Sequence, residues 1–160
     1  MWTRAKIETP LGPMIAMTDG AVLTALVFHD DARESVFAQA KEAETEAVIA
    51  ARTVLDRYFS GQECADLPRT LSSGTDFQKE VWLMAKAIPA GRTETYSGIA
   101  RRLGRPSAAR AVASALAANP ILILTPCHRV IPAEGVTGGY AGGPRRKAAL
   151  LTMEGQRSRG

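Results

Sequence analysis

Two apolar runs, residues 14–18 and 22–28, lie either side of Asp19-Gly20, and an Asp-Gly pair between strand-like runs signals a two-residue type I′ hairpin. Thr9-Pro10-Leu11-Gly12-Pro13 reads as a turn entered from a short strand at residues 5–8. Further on the period changes from two to about 3.6. Val48, Ala51, Leu55, Tyr58 and Phe59 recur on one helical face that stops at Ser60-Gly61, and residues 64–71 could supply another strand. After Ser72-Ser73-Gly74, the expected boundary, Thr75 and Gln78 form a capping box. Phe77, Val81, Met84, Ala85 and Ile88 give the following helix its buried stripe, and Pro89-Ala90-Gly91 ends it.

Two short helices are expected at residues 96–103, closed by Gly104, and 108–118, capped by Ser107. The turn between them, Gly104-Arg105-Pro106-Ser107, has the length found in helix-turn-helix units, which are also common as plain packing units. A last helix opens at Pro144, turns Leu150 and Leu151 inward and ends near Glu154-Gly155, with residues 156–160 as a tail. The pattern predicts an α+β chain: an N-terminal support domain, residues 1–72, with a small antiparallel sheet and a helix. Residues 73–160 form a mostly helical, winged-helix-like domain with a helix-turn-helix.

Composition narrows the classes. With 160 residues, 46% of them hydrophobic, the chain can bury a real core and is not a disordered one. No apolar run has membrane-span length, the start lacks a signal-peptide core, and two cysteines, Cys64 and Cys127, suit a reducing, cytoplasmic setting. The net charge is +4, but its distribution says more than its size. Acidic residues crowd positions 30–46, whereas Arg92, Arg101, Arg102, Arg105, Arg110, Arg129, Arg145, Arg146 and Lys147 populate the second half. Such an asymmetry fits a surface facing phosphates.

Candidate chemistry gathers at Thr125-Pro126-Cys127-His128-Arg129-Val130, where a thiol, an imidazole and a guanidinium follow the apolar residues 121–124. Nearby basic groups turn a thiol into the nucleophilic thiolate. Alone, the motif is equally consistent with a buried structural cysteine. Neighbouring residues of an extended chain point to opposite faces, so Cys127 and His128 cooperate only if the chain turns sharply there. The helix expected at residues 108–118 is also unusual. Its Ala-rich surface is thin, and Arg110 sits in its first turn, where the helix dipole disfavours a cation by about 0.3–1 kcal/mol. A thin helix can enter a groove too narrow for average side chains, and Arg110 would project from it as a probe.

Several stretches in order resemble the methylated-DNA–protein-cysteine methyltransferases. They are Gly74-Thr75-Asp76-Phe77-Gln78 with Val81-Trp82, Ile88-Pro89-Ala90-Gly91 with Thr95-Tyr96, and Ile99-Ala100. Ala108-Ala109-Arg110-Ala111-Val112, Asn119-Pro120, Pro126-Cys127-His128-Arg129-Val130, Gly139-Tyr140-Ala141-Gly142-Gly143 and Leu150-Leu151 with Glu154-Gly155 complete the pattern. The resemblance implies direct-reversal repair: an O6-alkylguanine is flipped from duplex DNA and its alkyl group passes once, irreversibly, to Cys127. It implies His128 as the base acting through a water, Glu154 as its orienter and Asn119 as the brace of the turn. By the same resemblance, Tyr140 donates to the minor-groove nitrogen of guanine and the Ala141 N–H faces O6. Tyr96 lies near the flipped nucleotide's phosphate, Arg110 fills the vacated stack, and Arg129 and Val130 belong to the substrate and DNA side.

The expected partner is double-stranded DNA carrying O6-alkylguanine; no membrane partner and no cofactor are expected. The protein is expected to be a monomer in solution, with cooperativity on DNA and action on O4-alkylthymine left open. Ala141 and Thr95 stand where some relatives carry serine, and Ala113-Ser114 where some carry a glycine pair. His29 and Cys64 are too few ligands for the zinc that some relatives hold, so no metal is expected. The chain is too short for the extra methyl-accepting domain of regulatory members. A lesion-binding relative without the cysteine, a helix-turn-helix regulator and a Cys–His hydrolase are the rival readings. The first lacks the thiol that this chain keeps, and the second leaves the Cys127 block without purpose. The third wants an oxyanion hole for which no motif is present.

Overall fold

The structure, a computed structural model, describes residues 1–64, 66–133 and 139–158, with side chains to Gly155. It divides into two compact units, Met1–Ser73 and Gly74–Gly160. In the first, β1 (Trp2–Ile7), β2 (Met14–Asp19) and β3 (Val22–Phe28) form an antiparallel meander. β1 alternates strictly: Thr3, Ala5 and Ile7 are buried while Trp2 and Lys6 face out. Central β2 is buried almost throughout. α2 (Glu46–Phe59) packs on β2 and β3 through Ala47, Val48, Ala51, Val54 and Leu55, and ends at Ser60 and the left-handed Gly61.

Several expectations need correcting in this unit. The hairpin loop is Gly20-Ala21, because Asp19 pairs with Val22. Only Gly20 has positive φ, at 62°, which is the sign pattern of a type II′ turn with glycine at its first position. β1 starts earlier than expected, at Trp2, and stops at Ile7. Among the described residues of 64–71 there is no strand, only a parallel bridge from Thr70 to Leu23. Pro68 cannot donate to a ladder, and Leu67 and Leu71 are exposed. The alternation did not reveal α1 (Glu34–Phe37) or β4 (Lys41–Glu42), whose two residues pair in parallel with Thr3 and Arg4.

In the second unit α3 (Asp76–Lys86) begins with the predicted capping box. Thr75 accepts from the Gln78 N–H at 3.1 Å, and the Gln78 side chain accepts from the Thr75 N–H at 2.9 Å. Trp82, absent from the expected stripe, is buried with Val81 and Ala85 and donates to the Ala115 carbonyl at 2.8 Å, joining α3 to the helix that carries Ala115. α4 (Tyr96–Arg102) closes at the left-handed Gly104 and packs on α5 (Ala109–Ala117). Ser107 does not cap α5. Ala108 occupies the cap position without a side-chain bond, having turned back on the Arg105 carbonyl. α6 runs Pro144–Ser158, about a turn beyond its expected end, so residues 156–158 continue the helix; 159–160 lie outside the described residues. β5 (Glu94–Thr95) and β6 (Val130–Ile131) pair in parallel. Among the described residues no helix is long and apolar enough to cross a membrane.

At Gly74 an added Cβ would meet the Trp82 ring at 2.5 and 2.8 Å. That ring is held by packing and its bond to Ala115, so Gly74→Ala is expected to lose about 1–3 kcal/mol in urea unfolding. An unchanged midpoint would show that the ring yields freely.

Candidate active site around Cys127

The local chain first explains how a thiol and an imidazole from neighbouring positions reach one site. After α5, the Asn119 side chain accepts from the Ile121 N–H at 3.0 Å and donates to the Thr125 carbonyl, also at 3.0 Å. The loop is tightened by Leu124 N–H bonding the Leu122 carbonyl at 2.8 Å, with Ile123 between them at φ 69°. This is a γ-turn in the strained left-handed half of backbone space. A second i→i+2 bond, Cys127 N–H to Thr125 carbonyl at 2.8 Å, bends the chain over Pro126 (φ −83°, ψ 62°), the opposite-handed and relaxed form. Cys127–Arg129 then form one 3₁₀ turn, the sharp turn that cooperation between Cys127 and His128 requires.

Asn119 Nδ2 also lies 3.1 Å from Cys127 Sγ. A single buried amide therefore fixes both the loop and the sulfur. From α6, the carboxylate of Glu154, wholly buried, lies 2.7 Å from His128 Nε2. Burial is the largest influence on His128 and holds it below the ordinary imidazole range. The Glu154 bond opposes that, while Arg129 and Lys147 reinforce it. A neutral imidazole facing a carboxylate keeps its proton on Nε2 and its lone pair on Nδ1. That Nδ1 is buried and has no hydrogen-bond partner among the described residues. The arrangement can accept a proton at Nδ1 while Glu154 steadies the charge that forms.

The other candidates fall into distinct places. Tyr96 opens α4 beside the turn because β5, just before it, pairs with β6, just after Arg129. Its hydroxyl is held above the usual phenol range, first by burial and then by charge on Cys127. Thr95 caps α4 by accepting from the Gly98 N–H at 3.0 Å, so the departure from serine keeps the cap. Tyr140 packs edge-on against His128 with ring centroids 6.1 Å apart, and Ala141 follows it, half-buried. Arg110 is exposed on α5, on one stripe with Ala111, Ser114, Ala117 and Ala118, all small. Val130 is buried and presents only its carbonyl to a side chain. Arg129, expected to face DNA, turns inward onto Glu154.

The sequence groups Lys147 with the basic surface, but the fold buries it. It is 1% exposed, donates to the Val130 carbonyl at 2.9 Å and lies 5.8 Å from the Tyr96 ring centre. Burial lowers its pKa, and charge on Cys127 opposes that shift. The signal was present: Lys147, Leu150 and Glu154 are spaced i, i+3, i+7 on the inward face of α6.

His128 carries a prediction of its own. With its folded pKa below the unfolded value near 6.5, the unfolded chain takes a proton that the native state refuses. Stability should therefore fall as pH drops below about 6.5, by up to roughly 1.4 kcal/mol per unit. Urea unfolding of His128→Gln, measured alongside the parent, should lose that slope; equal slopes would show that His128 protonates freely in the fold.

Residues 76–156 match the model of the 6-O-methylguanine DNA methyltransferase DNA-binding domain. The methylated-DNA–protein-cysteine methyltransferase of Mycobacterium leprae is 41% identical over 148 residues, covering 92% of this chain and 89% of that protein. A crystal structure of the Mycobacterium tuberculosis O6-methylguanine methyltransferase superposes with a TM-score of 0.89 at 39% identity, over 98% of this chain and 94% of that one. A crystal structure of Mycobacterium tuberculosis OGT in complex with DNA gives 0.85 at 39% identity, over 98% and 93% of the two chains.

Proposed function

The chain belongs to the methylated-DNA–protein-cysteine methyltransferase family and is an enzyme of that kind, and from this premise we propose that it moves the alkyl group of an O6-alkylguanine in duplex DNA onto its own Cys127. The observation that carries this reading is the buried line Glu154–His128 running to the same 3₁₀ turn that bears the thiol. His128 Nδ1 takes the Cys127 proton through a water. The sulfur anion, held by the Asn119 amide and favoured by the nearby Lys147 ammonium, attacks the alkyl carbon. An S–C bond forms as the C–O6 bond breaks, and the electron pair passes to the guanine, which picks up a proton to leave neutral.

The proton that His128 took from Cys127 balances the step, and a phenol at the site can hydrogen-bond the departing base. Tyr140 is the phenol expected in that role, and Tyr96 is a second one at the site. Burial and charge on Cys127 both hold Tyr96 protonated, so it serves as a hydrogen-bond donor rather than as a proton source. Tyr140, packed on His128, shapes the imidazole side. A thioether is a poor leaving group, and no residue of the relay supplies a route to break it. Each molecule therefore acts once.

A guanine inside a duplex cannot present its O6 substituent to a buried sulfur, so the base must leave the stack. The small-residue stripe of α5 lets that helix approach a groove closely, and Arg110 reaches from it into the space the base vacates. Exposed Arg92, Arg101, Arg105 and Arg145 supply charge for phosphate contacts.

Incubation with duplex DNA containing O6-methylguanine should add one methyl group to the peptide bearing Cys127 and then stop at one per protein. Cys127→Ser should bind the DNA and gain nothing. Repeated turnover, or methyl uptake by the serine variant, would overturn the proposal. Arg110→Ala should slow repair of duplex DNA about tenfold or more while changing reaction with free O6-benzylguanine by no more than about twofold. Equal losses on both substrates would remove Arg110 from base displacement.

A further inference from the structure

Among the described residues, the guanidinium beside the reactive pair makes its bonds inward. Arg129 Nε donates to Glu154 Oε1 at 2.8 Å, and Nη2 donates to Oε2 at 3.0 Å. Nη1 donates to the Ile88 carbonyl at 2.7 Å, and the side chain is 12% exposed. Oε2 is the oxygen that His128 also binds. We propose that Arg129 is a positioning residue of the proton relay, holding Glu154 in register with His128, and that it makes no contact with DNA. The inference rests on the alkyl-transfer reading above and deepens it.

Three physical consequences support the role. First, a two-point fork fixes the rotation of a carboxylate, which a single bond from His128 does not, and the Ile88 bond ties that fork to the loop after α3. Second, Glu154 has no access to water, and an ionised carboxylate so placed needs a matching cation. Arg129 keeps it an acceptor. Third, the same positive charge offsets the pull of the carboxylate on the imidazole. Among the described residues, the charged and titratable groups around His128 are Glu154 and Lys147 from α6, Cys127 and Arg129 from its own turn, and Tyr140 from the loop before α6. Tyr96 from α4 faces the sulfur and Lys147. Of these, Arg129 bonds the carboxylate that His128 uses, at two points. Lysine keeps the charge but cannot reproduce the planar fork.

The test uses the full chain, free O6-benzylguanine and unmodified duplex DNA. In Arg129→Gln, transfer from O6-benzylguanine at neutral pH should fall about tenfold or more, and the acid limb of its pH profile should move up by about one unit. The imidazole then faces the carboxylate without the opposing cation and protonates more readily. Arg129→Lys should return the limb toward the parent while leaving the rate below it. The salt dependence of DNA binding should be unchanged in both. A salt slope reduced by about 0.9, with the O6-benzylguanine profile unmoved, would instead make Arg129 a phosphate contact.

Should the variants fail to fold, the parent protein decides. The ¹⁵N signal of Arg129 Nε–H should be protected from solvent exchange and should not shift when duplex DNA is added; loss of protection or a shift on DNA overturns the proposal. If the parent takes no alkyl group from O6-benzylguanine or from duplex DNA containing O6-methylguanine, the transfer reading fails by itself. The exchange and salt measurements still judge where Arg129 points.

Discussion

Glu154 carries a carboxylate that water does not reach, and two consecutive residues from a distant part of the chain, His128 and Arg129, both bond to it. Consecutive side chains can share one acceptor only because a 3₁₀ turn swings them round. Once formed, the contact ties α6 to the turn after α5 and, through the Ile88 carbonyl, to the end of α3. The imidazole tautomer follows from that shared carboxylate, while the Asn119 amide places the thiol beside it. Burying ions is costly, so such a cluster persists only when its donors and acceptors are matched.

Charge in the cluster is not quite balanced. Arg129 answers Glu154, but the ammonium of Lys147 donates to a carbonyl rather than to a carboxylate. Its field is one that a sulfur anion would relieve, and the mutual influence of Lys147, Tyr96 and Cys127 expresses that. The short β5–β6 pairing matters here beyond its two residues. It sets the first residue of α4 next to the carbonyl that Lys147 binds, so one small ladder organises both.

Much of this was legible in the sequence. The capping box at Thr75, the hairpin strands and the end of α2 at Ser60-Gly61 correspond to motifs or periodicities, and the convergence of Cys127, His128, Asn119 and Glu154 to what the family resemblance implies. The failures share a cause: tertiary bonding decided where local pattern was silent. The hairpin loop moved by one residue because Asp19 found a partner in Val22. β4 has two residues, too few for any alternation to show. Lys147 shares its charge with Arg145 and Arg146, and only its position on the helix sets it apart. The inward turn of Arg129 depends on a carboxylate 25 residues away, which no local rule supplies.

Ile123 remains the one non-glycine residue with positive φ among those described, and it is a β-branched, buried one. Glycine would adopt that backbone without steric penalty but would leave a hole where the isoleucine side chain now packs. Two demands thus conflict at a single position four residues before the sulfur, and the side chain prevails over the backbone. The bend survives because its surroundings press on it, much as an arch stands under load. Anything that slackens the apolar packing around Ile123 will therefore be felt first in the placement of the thiol.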